Sequence, residues 1–482
     1  MIDRRAVMKA VAAAGSAVLL PDATWSAPPA ADDIAILAET YRALHPGLYR
    51  YQSPAAFDGE FARLAKDWSA DAALPARFLA LSRFLATIRC GHSYANFFNQ
   101  KQAVATKLWG GATRLPFHFS WIDEEMVVTR DPARTGILPG SVIETIDGVA
   151  ASAMLRALIP YARADGHNLA KRVHLLGVSG KDGIEYFDVF QGLLFPPRGS
   201  RFALRVRAPD GRRRSAAVVP IDLPARRAQM VANAEGDGPA WTIDHRPGAI
   251  AVMTMPGWAL YDSKWGWRGW LDTQFADMAR RGTRTLIVDV RDNEGGLDCG
   301  NEIIARLIDR PASPDLLERR VRYRRVPDGL RANLDTWDNS FFDWGSDATP
   351  IDNRYYRLKR DAGDEVIAPK GPRFRGRVIV LTDAGNSSAT FQFAQLMKRN
   401  RLATLVGSAT GGNQHGINGG AFFFLRLPEC GLEVDLPLIG TFAATPRPDA
   451  GIAPDVAIAP TAGDIAHGRD AVLEKALSLA QA

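Results

Sequence analysis

The chain has 482 residues, of which 46% are hydrophobic and 23% charged, and its formal net charge is +6. This length predicts two to four domains, and the composition is that of a soluble globular protein. The positive excess is mostly scattered arginine, and the short basic clusters at 211–215 and 318–325 are not interleaved with aromatic residues as a nucleic-acid platform would be. We therefore expect no nucleic-acid partner.

The first 30 residues predict an export signal. Arg4 and Arg5 precede an apolar stretch, Val11 to Leu20, which is too short to span a bilayer, and small residues and prolines follow it. The arginine pair followed by AVMK resembles a twin-arginine signal, which bacteria use for cargo exported already folded. We expect cleavage near residues 24–30, a periplasmic or secreted location and no stable membrane insertion afterwards. An uncleaved membrane anchor is the alternative.

Residues 32–88 show the apolar spacing of helices. DDIAILAETYRALH, FDGEFARLAKDW and LPARFLALSRFLATI place apolar residues at positions i, i+3, i+4 and i+7. The stretch HPGLYRYQSP, with its proline and glycine, separates the first two. We predict an N-terminal helical module over residues 31–105.

From about residue 108 the pattern changes to strands. The stretch TGILPGSVIETIDGVAASAML resembles the core of a PDZ domain, and RFALRVRAPDGRRRSAAVVP (201–220) predicts a hairpin around PDG that could complete it. We predict a PDZ-like domain over residues 106–235, with 151–200 as a helical insertion. Such domains bind extended peptides by adding a strand to a sheet edge. The alternative is a domain that only packs against the rest of the chain.

From about residue 245 short apolar strands alternate with helices, and the chain closes with the helical stretch AVLEKALSLA. This alternation indicates a sheet of mostly parallel strands covered by helices. We assign residues 236–482 to an α/β catalytic core. The fold class predicted for the whole chain is α/β, in an α+β multidomain arrangement.

The three cysteines, Cys90, Cys299 and Cys430, are far apart and odd in number. They predict neither a disulfide framework nor a metal-binding CxxC pair. The sequence has no HExxH motif, and its eight histidines do not cluster. We expect no catalytic metal and no cofactor.

A glycine pair follows an apolar strand in TLIVDVRDNEGG (285–296). Ligands bind at such strand ends in open α/β sheets. Gly295 and Gly296 would let the backbone turn sharply and aim N–H groups outward, as an oxyanion hole requires. The alternative is a tight turn without chemistry.

A second strand end, LTDAGNSSATFQFA (381–394), opens a predicted helix at two serines. Ser388 could cap the helix, the common role of serine there. It could also be a nucleophile whose oxyanion is stabilised by the Ala389 N–H and the helix dipole. Ser387 is then the cap or turn residue.

A third stretch, IRCGHSYANF (88–97), places His92 directly after a glycine. Histidine is the usual base for a serine, because its unperturbed pKa of about 6.5 leaves it mostly neutral at pH 7. A structural histidine is the alternative. Cys90 has nothing nearby in the sequence that would clearly lower its thiol pKa.

Four tryptophans (258, 265, 267 and 270) lie within MPGWALYDSKWGWRGWLDTQF (255–275). Trp265 and Trp267 have the spacing of same-face neighbours on a strand and are candidates for an aromatic substrate-binding wall. Packing between helix and sheet is the alternative.

Taken together, these motifs resemble one family. LIVDVRDNEGG, the stretch from VIVLTDAGNSSATF to LVGSATGGN, and GIAPDVAI are similar to the core of the C-terminal processing (tail-specific) protease family. CGHS, HPGLYRY and DIAHGRDAVLEKAL are similar to its branch near tricorn protease and the interphotoreceptor retinoid-binding proteins. The resemblance covers nearly all of residues 32–480, is dense in the last 200 residues and thin across 150–245, and implies a core of the ClpP/crotonase-like type.

The family implies a serine nucleophile followed by a small residue, which falls on Ser388 and Ala389. Gly295 or Gly296 would complete the oxyanion hole. In the C-terminal processing branch a lysine in a TxGKG-like turn activates the serine. That turn is ATGGNQ in this chain, with Asn413 in place of the lysine, which argues against a lysine dyad and leaves Asn413 as a candidate substrate contact.

The tricorn-like branch takes its base from the N-terminal part of the chain, where the CGHS motif supplies His92. That branch orients the histidine with a glutamate shortly before a GxxPD stretch and, in some members, with a serine beside the histidine. The corresponding stretch here is RPDAGIAPD. The resemblance therefore implies Asp449 as the orienting carboxylate and Ser93 as a helper.

These expectations combine into an exported serine peptidase that acts on peptide or protein substrates through a Ser388 acyl-enzyme, with His92 as general base. Two alternatives stay open. One is a non-catalytic ligand- or peptide-binding protein on the same fold. The other is a hydrolase of non-peptide amides or esters, since the same groups attack either carbonyl. No oligomeric state is predicted.

Overall fold

The structure is a computed structural model that describes residues 32–68, 72–230, 241–261, 263–312, 317–359 and 366–481. The export signal predicted for residues 1–30 lies outside these ranges. Among the helices within them, none is both long enough and apolar enough to cross a bilayer.

The described elements fall into helices and strands with the following bounds. The helices, in chain order, are α1 (Asp33–Leu44), α2 (Pro54–Asp67), α3 (Leu74–Thr87), α4 (Gln102–Trp109), α5 (Ala151–Leu158), α6 (Leu169–Leu175), α7 (Tyr186–Leu194), α8 (Leu223–Ala228), α9 (Trp267–Arg280), α10 (Cys299–Ala305), α11 (Ser388–Arg399), α12 (Ala462–Ala466) and α13 (Ala471–Gln481). The strands are β1 (His118–Ile122), β2 (Glu125–Arg130), β3 (Val142–Ile146), β4 (Val149–Ala150), β5 (Phe202–Arg207), β6 (Arg213–Val218), β7 (Thr242–Arg246), β8 (Ile250–Thr254), β9 (Thr285–Asp289), β10 (Leu317–Val321), β11 (Leu334–Asp335), β12 (Ala348–Pro350), β13 (Tyr356–Leu358), β14 (Arg377–Thr382), β15 (Thr404–Gly407), β16 (Asn418–Arg426), β17 (Glu433–Ala443) and β18 (Val456–Ala457). The mixed α/β class predicted from the sequence is confirmed.

The chain divides into two compact units, each assembled from separate stretches of sequence. Of the described residues, the first unit contains those within 32–110, 317–359 and 416–445, and the second contains those within 111–312, 366–415 and 446–481. This division follows compactness, so the domain boundaries predicted along the chain stay predictions.

The first unit contains helices α1–α4 and a sheet with the strand order β11-β16-β17-β10-β13-β12. Short polar side chains cap its first two helices: Asp32 accepts the Ile34 N–H at 3.0 Å, and Ser53 accepts the Ala56 N–H at 3.1 Å. The apolar face of α1 is buried, with Leu37 fully inaccessible. The helices predicted for this N-terminal stretch are confirmed.

The second unit contains an antiparallel sheet with the order β1-β2-β3-β5-β6, and β4 lies beside β3. Strands β5 and β6 form the predicted hairpin, in which Phe202 is paired with Val218. Helices α5, α6 and α7 lie along the chain between β4 and β5, within the predicted insertion. On the edge strand β1, Phe119 pairs with Val178 from the connection between α6 and α7.

The second unit also contains a sheet with the order β18-β15-β14-β9-β8-β7, parallel throughout except for β7 with β8. One face packs against α9, α10 and α11, and the other packs against α13. Burial of both faces explains why these strands are continuous apolar runs rather than alternating ones. The predicted α/β core with parallel strands is confirmed.

The two predicted reactive stretches leave this sheet at one edge. Strand β9 ends at Asp289 and strand β14 ends at Thr382, and the two strands are adjacent and parallel. Their carboxyl ends therefore lie side by side, which is where open α/β sheets bind ligands. The glycine pair after β9 and the serine pair after β14 are consequently neighbours.

Candidate active site

Ser388 has a backbone conformation that non-glycine residues rarely adopt. It is the first residue of α11, and its φ of +53° lies in the left-handed region. Residues 384–387 and 389–391 are buried, whereas Ser388 is half-buried. Strained residues persist only where the surrounding structure holds them, and they cluster at functional sites. A strained serine between strand and helix is also how the nucleophile elbow of other hydrolases presents its hydroxyl.

The turn before Ser388 is held by the buried amide of Asn386. Its Nδ2 donates to the carbonyl of Val290, and its Oδ1 accepts the Asp383 N–H at 2.8 Å. Its own carbonyl accepts the Gly411 N–H at 2.7 Å. Asn386 thus joins the loops that follow β9, β14 and β15, and this network holds the strained residue two positions later.

Ser387 occupies the N-cap position of α11, but its side chain does not cap the helix. Its hydroxyl instead lies 3.4 Å from the carbonyl oxygens of Glu294 and Gly385. Ser387 was predicted to be either the helix cap or a turn residue. In the structure its side chain does not cap the helix, so it is a turn residue.

Both glycines of the NEGG stretch are required by close contacts. Gly295 has φ +97°, and a Cβ there would lie 2.8 Å from the Ala389 nitrogen and 2.9 Å from the Ser388 Cβ. Gly296 has φ +138°, and a Cβ there would lie 2.2 Å from the carbonyl carbon of Trp258. A side chain at either position would displace backbone, so the glycine turn packs directly against the serine turn.

The backbone N–H groups around these turns differ in what they bond. The Gly295 N–H donates to Asn293 Oδ1 at 2.9 Å. Within the described ranges, the N–H groups of Gly296 and Ala389 donate no hydrogen bond. An oxyanion hole needs N–H groups that are free to donate to the substrate.

Asn293 is a structural centre that the sequence analysis did not identify. Its side chain is fully buried, and Nδ2 donates to the Met255 carbonyl at 2.8 Å. Its Oδ1 accepts both the Gly295 N–H and the hydroxyl of Thr390, the latter at 2.8 Å. It therefore ties the glycine turn to α11, the helix that Ser388 begins. The available signal was an asparagine in the turn after a buried strand, two residues before the glycine pair.

Glu294 is held by two cations from the predicted insertion. Lys171, whose side chain is 2% exposed, pairs with Glu294 Oε1, and Arg163 lies 3.1 Å from Oε2. Burial alone would raise the pKa of Glu294, but Lys171 and Arg163 outweigh it and hold the pKa well below its usual range. Because the Glu294 side chain is 40% exposed, water screens part of this attraction.

A second charged cluster surrounds Asp292. Its backbone N–H donates to Asp383 at 3.0 Å, its carboxylate lies 3.2 Å from His174 Nε2, and Lys181 pairs with its other oxygen. Burial would lower the pKa of His174, but Asp383 and Asp292 outweigh it and raise the pKa. His174, Asp292 and Asp383 bring three potential metal-ligating atoms within 4.8 Å of one another. The Lys181 ammonium already pairs with the Asp292 carboxylate, one of the two acidic groups of this cluster.

Asn413 and Asp449 lie together in the second unit, and His167 joins them. Asn413 is fully buried, and its Nδ2 donates to Asp449 Oδ1 at 2.6 Å. Asp449 also accepts the backbone N–H of His167 at 3.1 Å and contacts its ring Nδ1. Burial would raise the pKa of Asp449, but these hydrogen bonds outweigh it and lower the pKa. His167 was not among the residues singled out from the sequence.

His92 belongs to the first unit, on the loop after α3, whereas Ser388 belongs to the second. Its half-buried ring lies 5.8 Å from the ring of Phe422, measured between centroids. The loop is fixed to β17, because the Asp435 N–H donates to the Tyr94 carbonyl at 3.0 Å. The CGHS motif thus presents a partly exposed histidine on a fixed backbone.

Ser93, predicted as a helper of His92, is bonded to a different histidine. Its Oγ lies 2.9 Å from His45 Nε2, and both residues are fully buried. His45 Nδ1 accepts the Gly47 N–H at 3.2 Å, so Nε2 carries the ring proton and donates to Ser93. Burial, with Arg50 second, lowers the pKa of His45 to about 3. A role for Ser93 toward His92 stays a prediction.

Trp265 and Trp267 do not lie on a strand, so that part of the prediction was wrong. Trp267 begins α9, and only 6% of it is exposed. The rings of Trp265 and Trp267 pack edge-on against buried Trp241, with centroids 5.0 and 5.7 Å away. This is the packing role that the sequence analysis left open, and substrate contact by these residues stays a prediction.

Comparison with known proteins bears on the same residues. No curated protein sequence matches the chain. Two solved structures of mature CPAF match it: the complex with lactacystin, with a TM-score of 0.61 at 15% identity, and a crystal structure of mature CPAF, with a TM-score of 0.59 at 16% identity. Each alignment covers 93% of this chain. It covers 97% of the CPAF chain in the lactacystin complex and 95% of the CPAF chain in the other structure. The photosystem II D1 C-terminal processing protease matches at 14% identity over 89% of this chain and 93% of its own, with a TM-score of 0.42.

At these identities the structural likeness to CPAF establishes a shared fold. In the sequence, residues 249–457 match the model of Peptidase family S41. This range includes the glycine turn, the serine turn and Asn413. Members of a peptidase family act on peptide or protein substrates. Residues 249–457 are therefore similar to Peptidase family S41, in agreement with the predicted resemblance to C-terminal processing proteases.

Proposed function

We propose that the protein is an exported serine peptidase that hydrolyses peptide bonds through an acyl-enzyme on Ser388. The observation that carries the proposal is the conformation of this residue. Ser388 is half-buried among buried neighbours, has a positive φ, and packs against a glycine turn. A helix cap would need none of these features, whereas a nucleophile that must face a substrate needs its hydroxyl exposed at a fixed position.

We assign the oxyanion hole to the N–H groups of Ala389 and Gly296. Each is a backbone donor without a hydrogen bond among the described residues, and the Gly295 N–H is occupied by Asn293. The role of Gly295 is then steric, since its missing Cβ lets the two turns approach. Fixed donors of this kind stabilise the tetrahedral intermediate without reorganising during the reaction.

We assign the general base to His92. The CGHS motif supports this assignment, as does the substitution of Asn413 for the lysine of the C-terminal processing branch. The Asn413 amide is committed to Asp449 and to the Asp165 carbonyl, so it serves as a structural hydrogen-bond donor. In the proposed reaction His92 removes the Ser388 proton as the hydroxyl attacks and returns it to the leaving amine.

We propose that the Asp449 carboxylate orients the His92 ring, with Ser93 as a helper. Asp449 has a lowered pKa and is therefore ionised at neutral pH, as an orienting carboxylate must be. Its hydrogen bond with His167 makes that histidine the natural control for the choice of base. Export through the twin-arginine-type signal places the activity in the periplasm or outside the cell.

A serine-directed fluorophosphonate probe tests the proposal. We expect labelling of the wild type, none of Ser388→Ala, strongly slowed labelling of His92→Ala and near-normal labelling of His167→Ala. Hydrolysis of a peptide library by the wild type, lost in Ser388→Ala, would separate a peptidase from an esterase. Absence of both labelling and hydrolysis in the folded wild type would favour the alternative of a non-catalytic ligand- or peptide-binding protein on the same fold.

A further inference from the structure

Three polar side chains at the start and along one side of α6 contact loops at the carboxyl edge of the parallel sheet. Asn168, Lys171 and His174 are three residues apart, a spacing that places them along one helix face. Asn168 Nδ2 donates to the Gly412 carbonyl at 3.0 Å, and His174 Nε2 lies 3.2 Å from Asp292. Helix α6 therefore holds the loops after β9 and β15 at its two ends.

Lys171, in the middle of this row, reaches the serine turn. Its Nζ donates to the Gly385 carbonyl at 2.9 Å and pairs with the Glu294 carboxylate. Gly385 lies three residues before Ser388, and Glu294 directly precedes Gly295. A single ammonium group thus joins the segment that carries the nucleophile to the segment that carries the glycine pair.

The lysine has little room to make other contacts. A Cβ on Gly411 would lie 2.8 Å from Lys171 Cδ and 2.1 Å from the Ala384 carbonyl oxygen, so the lysine stem packs tightly against backbone. Its side chain is only 2% exposed. Removing a buried partner leaves the remaining carbonyl without its donor, and the cost appears as movement of the turn or as lost stability.

We propose that Lys171 is a positioning residue for the Ser388 reaction, holding the Gly385 carbonyl and the Glu294 carboxylate so that nucleophile and oxyanion donors keep their spacing. This inference rests on the proposed function of Ser388. It assigns a catalytic-site role to helix α6, which lies in the part of the chain where the family resemblance is thin. Lys171 acts through the two turns rather than on the substrate.

Two substitutions distinguish positioning from proton transfer. Arginine keeps the positive charge and the donors but cannot act as a base at neutral pH, so a Lys171→Arg variant that still reacts excludes a general-base role for Lys171. Methionine keeps the length of the side chain and removes the charge. Glu294→Gln tests the same link from the other side without changing Lys171.

The experiment measures fluorophosphonate labelling of the full-length protein, separating the maximal inactivation rate from the probe concentration that gives half of it. We expect Lys171→Met to lower the maximal rate about 10- to 100-fold, as a misplacement of up to about 1 Å can, and to change the half-saturating probe concentration less than about threefold. We expect Lys171→Arg to restore at least a third of the rate and Glu294→Gln to lower it about threefold or more. Lys370→Met is the control for loss of a lysine–glutamate pair elsewhere in the same unit, because Lys370, 41% exposed, lies 3.1 Å from Glu302.

All variants are assayed well below their melting temperatures, so that lost folding does not imitate lost chemistry. If the wild type is not labelled, the proposed function fails. If the wild type is labelled and folded Lys171→Met reacts at its rate, only the positioning role is overturned. It is also overturned if Lys171→Arg is as slow as Lys171→Met while Glu294→Gln reacts normally. Should Lys171→Met not fold, Glu294→Gln decides alone: a slowed rate supports positioning, and an unchanged rate ends it.

Discussion

Substituting alanine for Gly295 tests whether the glycine turn sets the position of the nucleophile. The added Cβ would lie 2.8 Å from the Ala389 nitrogen and 2.9 Å from the Ser388 Cβ. A normal contact is about 3.5 Å or more, so the two turns must separate by about 0.7 Å. A shift near 1 Å can cost about 100-fold in rate. We therefore expect Gly295→Ala to lower kcat about 10- to 100-fold.

The same substitution has a cost in stability that a matched glycine isolates. Alanine in a left-handed conformation costs roughly 1–2 kcal/mol, and overpacking adds roughly 1–3 kcal/mol. Gly148 has φ +82°, similar to the +97° of Gly295, but a Cβ there would meet nothing within 4 Å. Gly148→Ala should therefore show only the backbone cost and full activity.

Urea denaturation of both variants gives the free energies of unfolding, and hydrolysis of a peptide substrate gives kcat. We expect Gly295→Ala to be the less stable of the two and to be the only one with reduced kcat. The reasoning is refuted if Gly295→Ala is no less stable than Gly148→Ala and keeps the wild-type kcat.

Three further predictions concern His45, Trp267 and Asp449. The folded-state pKa of His45 is about 3 against 6.5 unfolded, so the unfolded chain binds the extra proton and the free energy of unfolding falls as pH drops from about 6.5 toward 3. From this group alone we expect the free energy of unfolding to be about 2–3 kcal/mol lower at pH 4.5 than at pH 7.5, and we expect His45→Gln to lack this contribution. The prediction is contradicted if urea denaturation gives the wild type and His45→Gln the same dependence of unfolding free energy on pH. Trp267→Ala should lower the free energy of unfolding by about 3–5 kcal/mol and leave KM nearly unchanged, because the ring is buried in the core. A raised KM at unchanged stability would instead favour the predicted aromatic substrate-binding wall. Asp449→Asn should lower kcat at least 100-fold if this carboxylate orients the base, and a loss below about threefold would remove it from the mechanism.

The sequence predicted the parts of the site that depend on local pattern. Apolar runs of five or six residues indicated parallel strands, and parallel strands bring their carboxyl ends to one edge. That rule brings the glycine turn after β9 and the serine turn after β14 to the same edge, and the pairing of β9 with β14 in the structure makes them neighbours. The local residue types, glycine pair and serine before alanine, then matched the chemistry expected there.

Other parts depend on contacts that leave no local signal. Lys171 meets Glu294 across 123 residues of sequence, in a stretch whose pattern predicts only a helical insertion. The strand interpretation of Trp265 and Trp267 failed for a related reason. A spacing of two fits a strand, but α9 begins at Trp267, where packing against Trp241 decides the conformation.

The central claim is that Ser388 is a nucleophile activated by histidine. The measurement that tests it most directly is peptide mapping by mass spectrometry after reaction of the wild type with the fluorophosphonate probe. The account predicts one adduct, on Ser388, formed at a rate that falls by several orders of magnitude in His92→Ala and stays near the wild-type value in His167→Ala. An adduct on Ser387 or elsewhere, or undiminished labelling of folded His92→Ala, would contradict it.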